Sequence, residues 1–167
     1  IGAGSSVIDI GAGTSRFAAR LIERGIGEKA VLDVSAAALE RSRRDMGALG
    51  AQVDWITADV TTWTPDRSYD LWHDRAVFHF LLDADDRAAY RERLLRCLGP
   101  GGHAIIATFA LDGPETCSGL AVVRYDPEDL REELGDRFTL AAVRRHVHHT
   151  PWGTPQSFQY SLLRVEA

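Results

Sequence analysis

Val7-Ile8-Asp9-Ile10-Gly11-Ala12-Gly13-Thr14-Ser15 reads as a strand that enters a helix through a glycine turn. The apolar run from Val7 to Ile10 has the character of a buried strand, interrupted by one carboxylate at Asp9. Gly11 and Gly13 let the backbone turn tightly and approach a ligand with no Cβ in the way. From Ser15 the spacing becomes helical, with Phe17, Leu21 and Ile22 as the apolar positions. Ala30-Val31-Leu32-Asp33 reads as a second strand, and its closing carboxylate falls 22 residues after Gly11. An acid at that distance is placed to accept hydrogen bonds from both hydroxyls of a ribose. Turn and acid together predict a nucleoside-cofactor site.

The turn is not a dinucleotide fingerprint, which wants a third glycine where this chain has Arg16. Asp9, two positions before Gly11, suits a ligand bearing a positive amino group better than a pyrophosphate. Asp9-x-Gly11-x-Gly13 resembles the first motif of the class I S-adenosylmethionine-dependent methyltransferases. The resemblance continues in order along nearly the whole chain. Asp33 matches the ribose-binding acid, and Ala58-Asp59-Val60 follows the strand Val53 to Thr57 as the adenine-contacting acid does. Tyr69 to Asp74 looks like the fourth strand, and Leu98-Gly99-Pro100-Gly101-Gly102-His103 resembles the turn before the fifth. Ser15 departs from the pattern, since many members carry a glycine there. The block Trp72 to Leu81, with Cys117-Ser118-Gly119-Leu120 later, looks like a bacterial subgroup.

What the resemblance implies can be stated residue by residue. S-adenosylmethionine, leaving as S-adenosylhomocysteine, would be held by Asp9, Gly11, Ala12, Gly13, Asp33, Val34, Asp59 and Val60. His73 as general base and Asp74 beside it would stand nearest the transferred methyl, with Asp74, Arg75 and Cys117 toward the acceptor. Bland roles compete with several of these. Asp9 could bond the amides of the glycine turn, and Asp59 could cap the turn at Thr61-Thr62. His79 reads as a packed histidine, and Trp152 as a packing anchor of a hairpin. His146, His148 and His149 have no nearby cysteine or carboxylate to complete a ligand set, so no metal is expected.

The predicted fold is α/β: a single Rossmann-like, doubly wound domain over residues 1–167, with a mostly parallel seven-stranded sheet. Ser35 is placed to cap a helix running to about Leu49 and ending at Gly50. Asp83 or Asp85 would cap a helix stopped by Gly99-Pro100, and Asp126-Pro127 would open one ending near Gly135. Phe138 to His148 and Ser157 to Val165, joined through Pro151 to Pro155, predict a C-terminal antiparallel hairpin. A nicotinamide-type half-domain has no reason to end so. Residue 1 is Ile and the first strand follows almost at once, so the cap helices that usually precede it in the family are expected to lie upstream.

At 167 residues and 45% apolar composition, the chain suffices for one packed core. A net charge of −5 argues against charge-driven nucleic-acid binding. Two cysteines make no disulfide framework, which points to a reducing cytoplasm, and no apolar run reaches the ~18 residues of a membrane span. The expected partner is a small-molecule or protein substrate. The activity competing with methyl transfer is non-catalytic cofactor binding in support of a partner protein, with an NAD-dependent redox enzyme behind it.

Overall fold

The computed structural model describes residues 1–150 and 152–166. The chain alternates strand and helix: β1 (Ser6–Ile10), α1 (Phe17–Glu23), β2 (Glu28–Asp33), α2 (Ala36–Met46), β3 (Asp54–Thr57), β4 (Leu71–Arg75), α3 (Ala84–Cys97) and β5 (His103–Phe109). A two-residue ribbon follows, β6 (Thr116–Cys117) with β7 (Leu120–Ala121), then α4 (Pro127–Leu134), β8 (Phe138–His149) and β9 (Pro155–Val165). The main sheet has the order β3-β2-β1-β4-β5-β9-β8. The first five strands pair in parallel, while β9 is antiparallel to both β5 and β8. Strand order reverses between β1 and β4, and the crevice beyond the carboxyl ends of such strands is where open α/β sheets bind ligands.

Alternation along β1 shows why the sheet is covered on both faces. Ile8 and Ile10 join Trp72, Tyr90, Leu94, Leu130 and Leu134 in the core under α3 and α4. Val7 faces the other way, with Leu21, Ile26 and Leu71 under α1. Val31 meets Ala18 and Leu39 of α1 and α2. Asp9 shares the face of Val7 and is the one buried charge in the strand, 3% exposed.

Side-chain caps start two of the four described α-helices. Ser35 Oγ accepts from Ala38 N at 3.2 Å, and Asp126 Oδ1 accepts from Glu128 N and Asp129 N at 2.9 Å. Asp83 occupies the start of α3, with no bond from its side chain to the helix. Three expectations need correction. α2 stops at Met46 rather than Leu49, because Gly47 takes φ +56 and a 3-10 turn runs on to Gln52. Cys117, expected toward the acceptor, belongs instead to the β6–β7 ribbon, turned by Ser118 and Gly119 at φ +52 and +82. Trp152 is 88% exposed and anchors nothing. The turn closes without it, through Thr150 N to Thr154 O and Gly153 N to Thr150 O. Pro151, part of the same predicted turn, lies outside the described residues.

Candidate functional site

Gly11 leaves β1 at φ +65 and Gly13 follows at φ +51, a left-handed path that costs glycine little. Gly11 also packs where no side chain fits, since a Cβ built there overlaps Val77 Cγ2. Gly13 N donates to Asp33 Oδ2 and Ser35 N to Asp33 Oδ1, both at 2.8 Å. The acid at the end of β2 thus fixes the glycine turn and the start of α2 together. Each of its oxygens keeps a lone pair for a ligand.

Two cavities meet at Gly11. One, of about 310 Å³, is walled by Leu32, Val34, Val60, Val77 and Phe80 and carries Asp33 and Asp59 on its rim. Val34 is 69% exposed, an apolar side chain waiting on a surface rather than in the core. The second cavity, of about 420 Å³, is lined by Asp9, Ala12, Thr14, Arg16, His73 and Arg75. Both fall within the range of small-ligand sites. A larger hollow between α1 and α2 and a shallow apolar groove over β5, β8 and β9 lack the acid-and-turn arrangement.

Asp9 does not bond the glycine-turn amides. Its Oδ1 lies 2.7 Å from His73 Nδ1, across strands whose register pairs the two residues. A carboxylate only accepts, so Nδ1 donates this bond, and in the neutral ring Nε2 keeps its lone pair. The ring is further held by Phe17, stacked at 4.1 Å and 24°. His73 is therefore an oriented imidazole on the wall of the second cavity.

Asp74 is corrected more sharply. Successive strand residues face opposite ways, and His73 takes the cavity side while Asp74 is fully buried in the core. Its Oδ1 accepts from Val77 N at 2.8 Å, and its Oδ2 accepts from Phe78 N at 3.0 Å and Tyr90 Oη at 2.6 Å. Tyr90 Oη in turn accepts from Trp72 Nε1 at 2.8 Å. Burial pushes the Asp74 carboxyl up to about 6, against these stabilising bonds. Asp74 touches neither cavity. It holds the segment in which Ala76 stands at φ +71 and Val77 packs against Gly11.

Asp59 Oδ1 accepts from Thr61 N at 2.8 Å and Thr61 Oγ1 at 2.7 Å, so it caps that turn while its exposed carboxylate stays on the cavity rim. Cys117 packs with Phe109, Phe158 and Tyr160 beyond β5 and lines neither cavity. His79 is buried, with Nε2 unpartnered, and burial lowers its imidazole to about 4. His146, His148 and His149 join no group of metal-ligating residues among those described. Sequence reasoning missed Phe17, Ala76, Val77 and Phe80, ordinary apolar residues that only the folded turn brings to the site.

Residues 7–102 match the family model described as a methyltransferase domain. A trans-aconitate 2-methyltransferase of an Azoarcus species is 35% identical over 99 residues, 59% of this chain and 36% of the relative. A malonyl-[acyl-carrier protein] O-methyltransferase of Ilyobacter polytropus is 28% identical over 105 residues, 62% of this chain and 38% of the relative. The chain thus spans well under half the length of these two curated relatives. Among solved structures, a methyltransferase of Methanosarcina mazei superposes with a TM-score of 0.80 at 13% identity, covering 99% of this chain and 94% of its own. The N-methyltransferase NodS of Bradyrhizobium japonicum, in complex with S-adenosylhomocysteine, gives 0.75 at 18% identity, with 98% and 79% covered. These two likenesses are of fold.

Proposed function

The chain belongs to the methyltransferase-domain family, and from that premise we propose that it binds S-adenosylmethionine across the Gly11 turn and transfers the methyl group to a small-molecule acceptor. The observation that carries this reading is the pair of cavities joined at Gly11, one with an acid among apolar walls and one with an oriented imidazole. Asp33 has lone pairs to accept from ribose hydroxyls, and Val34, Val60 and Phe80 offer apolar surface to a flat base. The cofactor supplies, when bound, a methyl group already activated by a positive sulfur.

The chain then has two tasks. It aligns the reactants, for which positioning alone contributes ~7–11 kcal/mol in ideal intramolecular cases. It also moves a proton where the acceptor arrives as an ammonium or hydroxyl. His73 Nε2 takes that proton, and Asp9 stabilises the imidazolium that results. Arg16 at the start of α1 removes the close approach that a dinucleotide pyrophosphate needs, against the nicotinamide reading. The small acids and carrier-bound acid in the relatives' names support a small-molecule acceptor. The free thiols of Cys97 and Cys117 support a reducing, cytoplasmic setting, and no described helix is long and apolar enough to cross a membrane.

Calorimetric titration with S-adenosylhomocysteine and with NAD tests the cofactor, and only the first is expected to bind. Transfer of a labelled methyl group into a cell extract tests catalysis. Tight binding of S-adenosylhomocysteine without any transfer would leave a binding domain and not an enzyme.

A further inference from the structure

Arg75 ends β4 on the wall of the cavity that holds Asp9 and His73. Its side chain is exposed yet held on two sides. Nε donates to Tyr160 Oη at 3.1 Å, and the guanidinium lies 4.8 Å from the Phe158 ring centroid. These contacts use one edge and one face of the plane. Among the described residues the terminal fork of Nη1 and Nη2 has no hydrogen-bond partner, and no Asp or Glu there forms an ion pair with it. Arg67 pairs with Glu28 and Asp54, Arg87 with Glu133 and Arg145 with Asp112, whereas Arg75, like Arg16 and Arg144, forms no ion pair among the described residues.

The neighbourhood is cationic and aromatic. His148 stands edge-on to the same Phe158 ring at 6.5 Å, and its imidazole is held low by desolvation and then by Arg75. Beneath the guanidinium, Phe158 and Tyr160 pack with Phe109, Cys117 and Ala76 as one apolar wall. A fixed guanidinium with a free fork matches a carboxylate in shape and charge. Two carboxylates could reach this end of the site, that of the cofactor's amino-acid tail and one on the acceptor. Arg75 leans toward β9, on the far side of β4 from the glycine turn that ends β1. Arg16, by contrast, stands on the glycine-turn side of the cavity.

We propose that the methyl acceptor carries a carboxylate, which the Nη fork of Arg75 binds beside the half-buried Tyr160 ring. The proposal rests on the methyl-transfer reading, because it takes the cavity at His73 as the transfer end. The carboxylate is an anchor, and the atom that receives the methyl group lies elsewhere on the acceptor.

The test is titration of the chain, saturated with S-adenosylhomocysteine, with benzoate, with its neutral isostere benzamide and with inorganic phosphate. Benzoate is expected to bind saturably and more tightly than the other two. Arg75→Gln should weaken benzoate by about 10- to 100-fold, the size of charge-assisted hydrogen bonds. Its affinity for S-adenosylhomocysteine should stay within about twofold, since the cofactor is not its ligand. Tyr160→Phe, which frees the guanidinium without removing it, should weaken benzoate by only a few-fold. A matching loss of S-adenosylhomocysteine in Arg75→Gln would give the arginine to the cofactor and overturn the proposal. Equal binding of benzoate and benzamide, tighter binding of phosphate, or no saturable benzoate binding would each overturn it as well. Failure of the wild-type chain to bind S-adenosylhomocysteine would take down the methyl-transfer reading first, and this proposal with it.

Discussion

Asp9 and His73 are cross-strand partners, 2.7 Å apart between Oδ1 and Nδ1, at the point where the strand order of the sheet reverses. The pair joins the acid before the glycine turn to the imidazole at the end of the fourth strand. A carboxylate buried in an apolar strand is costly without a partner, and the imidazole N–H supplies one. The imidazole gains a fixed tautomer in return.

Asp9→Ala should therefore change His73 before it changes anything else. In the wild-type chain, nitrogen-detected NMR of the ring should show a proton on Nδ1 and a bare Nε2. In the variant that preference should vanish, and labelled methyl transfer should fall by about 10²–10⁴-fold if His73 is the base. Affinity for S-adenosylhomocysteine should change far less than turnover. An unaltered ring spectrum would show that Asp9 does not set the tautomer.

Gly11 gives a packing prediction that differs from the one its sequence context suggests. A side chain there was expected to obstruct the ligand, yet in the fold it first meets Val77 Cγ2. Gly11→Ala should destabilise the chain and displace the loop after β4. Adding Val77→Ala removes the obstructing methyl and should recover part of the loss. A residue of about 1–2 kcal/mol should remain, because φ +65 still disfavours a Cβ. Urea denaturation of the single and double variants measures both terms, and no recovery in the double variant would refute the contact.

Asp33→Ala should weaken S-adenosylhomocysteine by roughly 1.5–3 kcal/mol, as for lost charge-assisted hydrogen bonds. The same change leaves Gly13 N and Ser35 N without their acceptor, so the melting temperature should fall too. Calorimetry and thermal unfolding on one sample separate the two effects. Full affinity in a folded variant would remove Asp33 from the site.

The parts legible in the sequence were those governed by local chemistry. Gly11 and Gly13, the Ser35 and Asp126 caps and the final hairpin each announce themselves within a few residues. Asp74 could not be placed so. The side of the strand that a residue faces depends on register, and one step separates the cavity wall at His73 from the core at Asp74. Nothing around Asp74 in the sequence announces Tyr90, which comes from another helix. Trp152 misled for the opposite reason, since its turn is closed by backbone bonds and by the Thr150 hydroxyl. The partner of Asp9 was missed because it lies 64 positions away.

Asp74 and His79 make opposite contributions to stability in nearly the same pH window. Asp74 has a carboxyl raised by burial from 3.8 to about 6 in the folded chain. Between those values the folded state holds the proton more tightly than the unfolded one, so this stabilisation is full below pH 3.8 and lost as pH rises through about 6. His79 is the reverse, with an imidazole lowered by burial from 6.5 to about 4. Its stabilisation is full above pH 6.5 and lost as pH falls through about 4. Each amounts to about 3 kcal/mol at the conversion of 1.36 per pH unit, so the wild-type contributions largely cancel. Variants uncover them separately. Asp74→Asn keeps one acceptor but turns an amide toward a backbone donor, so it should be less stable at acid pH. Its profile should then fall further, on the His79 slope, as pH drops from about 6.5 toward 4. His79→Asn should do the opposite and gain stability on acidification from about 6 to 4. Urea denaturation of the three proteins across that range decides the matter, and three parallel profiles would show that neither group's pKa differs between the folded and unfolded chains.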